Sequence, residues 1–406
     1  MQFDTLLLHG RSAGSFADNA TLPPIAQNTA FRYRSAEEHE QVFKHTKRGF
    51  AYTRIGNPTT ASFEIRINEL EGGAGAIAIS SGMAAITNTV LNITCAGDEI
   101  IVANELYGGT LNLFSDIEKL GIKTHYVKEM TRDTVLPLIN ERTRLVFAEA
   151  VSNPSLHVVE IAEIASLTKE KKIPLVIDST TATPFTLRPL ELGADIVVHS
   201  TSKYINGGGN SIGGVIVDGG SFEWDFDRFT ALKDFKKFGN MAFMVRLRTD
   251  LWENMGSCIS PFNSYMNIVG IETLGLRMER INKNADRLAH ALAEKGIDVN
   301  YLSLPGHPSH ELYKTELHGN GGGILTFRAG SKERAFEILN SLKYVCIASN
   351  IGDVRTLVIH PASTIFLQTP EREREAAGVY DDTIRVSVGI ENSDDLVEDF
   401  LQAIEK

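Results

Sequence analysis

The sequence has few cysteines and no surplus of positive charge. Its 406 residues include three cysteines, Cys95, Cys258 and Cys346, and no CxxC pair. This number and spacing argue against a disulfide framework or a zinc cage, so we expect no metal site and a reducing, cytoplasmic environment. The 40 basic and 51 acidic residues give a formal net charge of -11. Such a chain lacks the broad basic surface that nucleic acids and anionic membranes attract.

Long apolar runs and nucleotide-binding glycine motifs are also missing. No stretch approaches the ~20 apolar residues of a membrane span, and the N-terminal segment lacks the basic region of a secretory signal. We therefore expect neither membrane insertion nor secretion. Neither a Walker A motif nor G-x-G-x-x-G with a suitably placed acid occurs between a strand and a helix, which argues against both classes of nucleotide fold.

Short β-branched apolar runs alternate with amphipathic segments between residues 74 and 220. This alternation is typical of βα units that build a mainly parallel sheet. In the stretch 160–172, Ile161, Ile164 and Leu167 recur at helical spacing, which predicts a helix with one buried face. The predicted strands are Ala76–Ile79, Glu99–Ala103, Leu145–Ala148, Pro174–Asp178, Asp195–His199 and Val215–Val217.

The chain divides into three predicted parts. Residues 1–55 form an irregular N-terminal arm with one helix near 36–44, and residues 56–255 form a large α/β domain. A long helical stretch over 273–295 then opens a smaller C-terminal α+β domain, 256–406. Its other predicted elements are Asp298–Leu302, Gly323–Phe327, Arg334–Leu342 and Ile384–Val388.

Polar residues follow several predicted strands, where ligands bind in open α/β sheets. Asp178 ends one strand, while Gly82 and Met83 begin a helix whose free N–H groups suit a phosphate. Lys203 follows a buried strand among hydroxyls, where loss of water lowers the pKa of its amine and makes it nucleophilic toward a carbonyl. Taken singly, each feature also fits a cap, a turn or a surface lysine.

The segment Ser200–Lys203 also matches S-x-x-K, the signature of serine acyl-enzyme hydrolases. Those enzymes also need a K-T-G motif, which this sequence lacks, and a helix that begins at the serine. A serine hydrolase is therefore the alternative from a different class.

Several segments in a fixed order give a more specific signal: Tyr52–Thr59, Ser81–Ala85, Leu106–Thr110, Asp178–Thr180, Asp195–Ile205, His360–Ser363 and Arg385–Glu391. Together they resemble the pyridoxal-phosphate-dependent enzymes of cysteine and methionine metabolism, in particular the O-acetylhomoserine sulfhydrylases. The resemblance implies an aspartate-aminotransferase-like fold (fold type I), with a mainly parallel central sheet and a smaller C-terminal α+β domain. It also implies a homotetramer, a dimer of dimers with shared active sites.

The resemblance implies roles for the candidate residues. Lys203 would carry pyridoxal 5'-phosphate and move protons at the substrate carbons, with Tyr107 stacked on the ring. Asp178 would pair with the pyridine nitrogen, which makes the ring an electron acceptor. Arg385 would bind the substrate α-carboxylate beside Asn350. Further cofactor contacts would come from Gly82, Met83, Asn153, Thr180, Ser200 and Ser202, and from Tyr52 and Arg54 supplied by a neighbouring subunit.

The implied reaction is γ-replacement, in which O-acetyl-L-homoserine and a sulfide donor give L-homocysteine and acetate in methionine biosynthesis. Gly109 and the loop 348–360 favour a sulfhydrylase, with methionine γ-lyase and cystathionine γ-synthase as alternatives. Ile365 and Phe366 stand where relatives usually carry polar residues. In the implied reaction the partners would be small molecules, namely an amino acid and a sulfur donor. The sequence leaves open whether sulfide, methanethiol or a protein-bound carrier brings the sulfur, and whether the ester is acetyl, succinyl or phospho.

Overall fold

A computed structural model describes residues 1–12, 20–44 and 46–406 of the chain. The N-terminal arm carries two helices, α1 (Phe3–His9) and α2 (Ala36–Phe43). The second agrees with the predicted helix near 36–44, and the first was not predicted. Leu7 of α1 is buried, so this helix belongs to the packed body of the protein. No helix in the described part of the chain is long and apolar enough to cross a membrane.

A mainly parallel sheet forms the centre of the large domain. Within the described residues it has seven strands in the order β1-β7-β6-β5-β4-β2-β3, and only β7 runs antiparallel to its neighbours. This arrangement confirms the predicted sheet. The strands are β1 (Gly75–Ile79), β2 (Glu99–Ala103), β3 (Lys123–Val127), β4 (Thr143–Glu149), β5 (Leu175–Asp178), β6 (Ile196–Ser200) and β7 (Gly214–Asp218).

Strand β3 was not predicted, because it lies at the sheet edge and mixes exposed and buried positions. Lys123 is exposed there, whereas Thr124 and Val127 are buried. The six predicted strands instead have apolar residues in succession, since both faces of the sheet are covered by helices.

Two long helices of the large domain begin at side-chain caps. In α3 (Pro58–Glu71), Asn57 accepts a hydrogen bond from the Thr59 N–H, and Pro58 occupies the first turn, where its missing N–H costs nothing. In α4 (Gly82–Ile93), Ser81 accepts from the Ala84 N–H. The remaining helices of this region are α5 (Gly108–Glu118), α6 (Arg132–Val135), α7 (Ile161–Glu170), α8 (Thr183–Thr186), α9 (Ala242–Arg246) and α10 (Trp252–Met255).

A second, smaller sheet follows in the C-terminal part. Its order is β10-β11-β12-β9-β8, and it is antiparallel apart from the pair β10 and β11. The strands are β8 (Val299–Asn300), β9 (Ile324–Arg328), β10 (Cys346–Ile347), β11 (Leu357–Ile359) and β12 (Thr383–Ser387). The helices are α11 (Pro261–Glu272), α12 (Leu274–Glu294), α13 (His310–Thr315), α14 (Lys332–Ser341), α15 (Glu371–Ala376) and α16 (Ser393–Ile404). The predicted α+β character of this part is confirmed.

Candidate active site

A cavity of about 190 Å³ lies at the carboxyl ends of β4, β5 and β6. All predicted site residues except Tyr52 and Arg54 line it: Gly82, Met83, Tyr107, Asn153, Asp178, Thr180, Ser200, Ser202, Lys203, Asn350 and Arg385. Sequence reasoning missed other lining residues: Ser81, Ile86, Thr110, Glu149, Thr181, Ser349 and Ile351. Ile365, noted in the sequence as a departure from the polar residues of relatives, lines the cavity too. The C-terminal part supplies one wall of the cavity, because Ser349 to Ile351, Ile365 and Arg385 all follow residue 255.

Lys203 lies in the turn that follows β6 and is half-buried. Its Nζ donates a hydrogen bond to Asn350 Oδ1 at 2.6 Å. Burial, together with the positive charge of Arg385, lowers the pKa of the Lys203 amine to about 8. A substantial fraction of this amine is therefore neutral near pH 8, as attack on a carbonyl carbon requires.

The start of α4 offers main-chain donors beside two hydroxyls. No hydrogen bond among the described residues uses the N–H groups of Gly82 and Met83. A Cβ on Gly82 would lie 2.6 Å from the Ser200 Cβ, so only glycine lets the helix start approach Ser200 this closely. Ser202 Oγ accepts from the Gly213 N–H at 3.0 Å, which fixes the turn. Free N–H groups at a helix start next to hydroxyls suit a phosphate dianion.

Two carboxyl groups lie side by side at the ends of neighbouring strands. Asp178 on β5 pairs in register with Glu149 on β4, and the Thr180 N–H donates to Asp178 Oδ1 at 2.9 Å. Burial raises the pKa of both carboxyls. Among the described residues, neither acid forms an ion pair with a basic side chain. Such a pair can receive a positively charged group of a ligand. Glu149 could have been found from sequence, because it ends an apolar strand as Asp178 does.

Arg385 lies on β12 and is only 3% exposed. Its Nη1 donates to Asn153 Oδ1 at 3.4 Å and its Nη2 to the Asn350 carbonyl at 3.1 Å, while its Nε has no partner. Burial lowers the pKa of this guanidinium to about 10. No acidic side chain in the described part of the chain pairs with it. A buried guanidinium in this condition is suited to binding a carboxylate from a ligand.

Tyr52 and Arg54 lie outside the cavity of their own chain. Arg54 Nη1 donates to the Glu253 carbonyl at 2.6 Å, and its guanidinium stands 5.6 Å from the Tyr52 ring centroid. Tyr52 is 40% exposed. Both side chains are thus presented on the surface, and their action in a neighbouring subunit stays a prediction.

The hydrolase alternative fails on local structure. Ser200 is the last residue of β6 and does not begin a helix. The S-x-x-K signature requires the serine at a helix start, so this match does not indicate a serine hydrolase.

Comparison with known proteins assigns the fold and site to a class. Residues 4–405 match the family of Cys/Met metabolism PLP-dependent enzymes, and the chain belongs to this family. It is 38% identical to an O-acetyl-L-homoserine sulfhydrylase of Leptospira meyeri, covering 99% of this chain and 96% of the relative. It is also 39% identical to a homocysteine synthase of Schizosaccharomyces pombe, with 99% and 98% coverage.

Solved structures give the same fold. A proposed O-acetylhomoserine (thiol)-lyase from Campylobacter jejuni, which contains N'-pyridoxyl-lysine-5'-monophosphate, superposes with a TM-score of 0.95 at 34% identity over all of both chains. A cystathionine γ-lyase from Lactobacillus plantarum gives 0.86 at 30% identity, covering 100% of this chain and 99% of the other. The aspartate-aminotransferase-like fold is therefore confirmed.

The residues of the cavity fit pyridoxal phosphate. The start of α4 suits its phosphate, the Asp178 carboxylate suits a protonated ring nitrogen, and the Lys203 amine suits its aldehyde carbon. Lysine, acid and helix start are all at the same edge of the sheet, since β5 and β6 are parallel neighbours and α4 packs against β6.

Proposed function

We propose that this protein converts O-acetyl-L-homoserine and a sulfide donor into L-homocysteine and acetate by γ-replacement, as a step of methionine biosynthesis. One observation carries the amino-acid part of this proposal: the acid-free guanidinium of Arg385 shares a cavity with the Lys203 amine. The names of the full-length relatives support the ester and sulfide parts. The sequence identity to those relatives extends over both sheets, so it covers the whole site.

Each residue has a defined task in this reaction. Arg385 binds the α-carboxylate of the substrate and fixes its orientation, because two N–H groups of a guanidinium can bond two carboxylate oxygens. Lys203 takes the proton from the substrate Cα and returns a proton at the end. Asp178 would hold the ring nitrogen in its protonated form, and Tyr107 would lie against the ring. Pyridoxal phosphate supplies the electron-accepting ring that makes the Cα proton acidic.

The composition of the cavity favours a small sulfur nucleophile over cysteine. Lys203 and Arg385 are the basic side chains that line the cavity in the described part of the chain. Cysteine would bring a second α-carboxylate, for which the described lining of this chain offers no second fixed cation, and the neighbouring subunit's Arg54 is assigned to the cofactor phosphate. The apolar side chains of Ile86, Ile351 and Ile365 instead suit sulfide or a short alkanethiol.

We also propose that subunits share their sites within a homotetramer. Support comes from the surface position of Tyr52 and Arg54. The phenol of Tyr52 and the guanidinium of Arg54 suit a phosphate, but both lie away from the cavity of the chain that carries them. The exposed Cys95 and Cys346 are free thiols, which supports a cytoplasmic location. The division into an arm 1–55, a large domain 56–255 and a C-terminal domain 256–406 is consistent with the positions of the two sheets.

The decisive experiment compares reactions on one purified enzyme. O-acetylhomoserine with sulfide should give homocysteine with a larger kcat/KM than methionine gives 2-oxobutyrate, or than cysteine gives cystathionine. Succinyl and phospho esters and methanethiol complete the panel. Faster methionine cleavage would overturn the proposal in favour of a γ-lyase, and faster cystathionine formation would favour a γ-synthase.

A further inference from the structure

Glu149 is a buried acid of the cavity that has no task in the reaction described above. It is the last residue of β4 and is 7% exposed. Its Oε1 accepts a hydrogen bond from the Tyr107 N–H at 2.7 Å, and the Asn153 N–H lies close enough to the same carboxyl group to counteract part of the rise in its pKa. One side chain thus contacts the main chain of two separate loops.

Both loops carry side chains of the site. Tyr107 is the residue immediately before α5 and lines the cavity. Asn153 accepts a hydrogen bond from Arg385 Nη1 through its side chain. The carboxyl group of Glu149 therefore sets the separation between the ring-covering residue and a neighbour of the substrate clamp. Its position at the end of a central strand makes it a rigid anchor for both loops.

The charge of Glu149 is constrained by Asp178. The two acids pair in register on neighbouring parallel strands, and among the described residues no basic side chain forms an ion pair with either. Burial, and then the negative charge of Asp178, raise the pKa of Glu149 well above its usual range. The protonated ring nitrogen of the cofactor can compensate one negative charge. Asp178 already supplies that negative charge. A second buried carboxylate would remain without a positively charged partner, which strongly disfavours its ionised form.

We propose that Glu149 is an uncharged positioning residue, which holds the Tyr107 and Asn153 loops around the cofactor and leaves Asp178 as the one negative charge at the ring. This inference depends on the cofactor and not on which amino-acid ester or sulfur donor reacts. Since Gln has the shape of a neutral Glu and keeps an oxygen acceptor, it should replace Glu149 with little loss of cofactor affinity. Leu keeps the approximate volume but cannot accept the N–H bonds.

The test measures cofactor affinity by titrating the apoenzyme of Glu149→Gln and Glu149→Leu with pyridoxal phosphate. We expect the dissociation constant of the Gln variant to stay within about threefold of wild type, and that of the Leu variant to rise about five- to a hundredfold through unpaired buried N–H groups. The absorbance band of the bound cofactor should depend on pH in the same way for the Gln variant and wild type between about pH 6 and 9.

Glu64 provides a matched control. It is buried to a similar extent, but its carboxylate forms a two-point ion pair with Arg248, with the closer contact at 2.8 Å. Glu64→Gln should therefore lower the free energy of unfolding of the apoprotein. Glu149→Gln should raise it or leave it unchanged, because burial disfavours the charged form of Glu149. This difference from wild type should grow as the pH rises above the usual Glu pKa of 4.5, where the unfolded chain gains by ionising.

Some results would overturn the inference. A Gln variant that loses as much cofactor affinity as the Leu variant would show that a negative charge is required. A shifted pH dependence of the absorbance band in the Gln variant would show the same. If the Leu variant does not fold, the comparison between the Gln variants of Glu149 and Glu64 still decides whether Glu149 is uncharged in the folded protein. These readouts use no substrate, so they stand even if the enzyme turns out to be a γ-lyase.

Discussion

Replacement of Arg385 by Met should abolish most activity without destabilising the protein. The substitution removes a guanidinium that is buried, lacks an acidic partner and has one N–H group with no acceptor. Met fills a similar volume and carries no charge. The substitution should lower activity without lowering stability. The reason is that the buried guanidinium is unfavourable in the substrate-free site and favourable once a carboxylate binds.

A magnitude follows for each effect. Losing the clamp on a buried carboxylate removes about 2 to 4 kcal/mol of binding, or about thirty- to a thousandfold in kcat/KM. The fall of the Arg385 pKa from 12.5 to about 10 corresponds to about 3 kcal/mol of unfavourable burial, which the substitution relieves. Two hydrogen bonds to Asn153 and Asn350 are lost, at about 1 kcal/mol each, so the net change in stability should be small or positive.

The assay combines steady-state kinetics with thermal unfolding of the substrate-free enzyme. The Arg385→Met variant should keep the cofactor absorbance and Tm of wild type while kcat/KM falls for every amino-acid substrate. Arg248→Met is the control, because it removes an arginine that is paired with Glu64 and should lower Tm. Activity within fivefold of wild type, or a Tm that drops as far as in the control, would refute the reasoning.

Two further predictions concern the lysine and the arm. Because burial lowers the pKa of Lys203 to about 8 against 10.5 for the ordinary amine, the unfolded chain binds more protons between these values. Wild-type apoprotein should therefore gain stability as pH rises from about 8 to 10.5, and Lys203→Met should be more stable at pH 7 by up to about 3 kcal/mol in urea unfolding. A constant difference between the two proteins across that range would contradict the shifted amine. Mixing Arg54→Ala with Lys203→Ala subunits should restore part of the activity in hybrids that hold one intact site, and no recovery after proven subunit exchange would count against shared sites.

Much of the fold could be predicted because buried parallel strands have a distinctive pattern. Glu99–Ala103 was predicted with its observed bounds, because every residue of that strand is buried and all of them after Glu99 are apolar. The edge strand Lys123–Val127 and the two-residue strand Cys346–Ile347 could not be found this way, because solvent contact or shortness removes the apolar run. Their presence depends on the neighbouring strand that each one pairs with.

The candidate site shows a similar division. Asp178 and Lys203 were predicted because one ends a buried strand and the other follows one, and the structure places both in the cavity. The contact between Lys203 and Asn350 joins residues 147 positions apart, so no local pattern could predict it. Glu149 had a local signal, but its significance comes from three partners that only the fold assembles.

The close approach of Gly82 to Ser200 limits how this enzyme can evolve or be engineered. The phosphate end of the site is formed largely by main chain, and a side chain added at Gly82 would collide with Ser200 at 2.6 Å. Variation at that end thus loses the cofactor before it gains a new activity. Another wall of the cavity is apolar and includes Ile351 and Ile365, which come from the C-terminal part and do not belong to α4. A library directed at larger thiols should randomise this apolar wall and leave the start of α4 untouched.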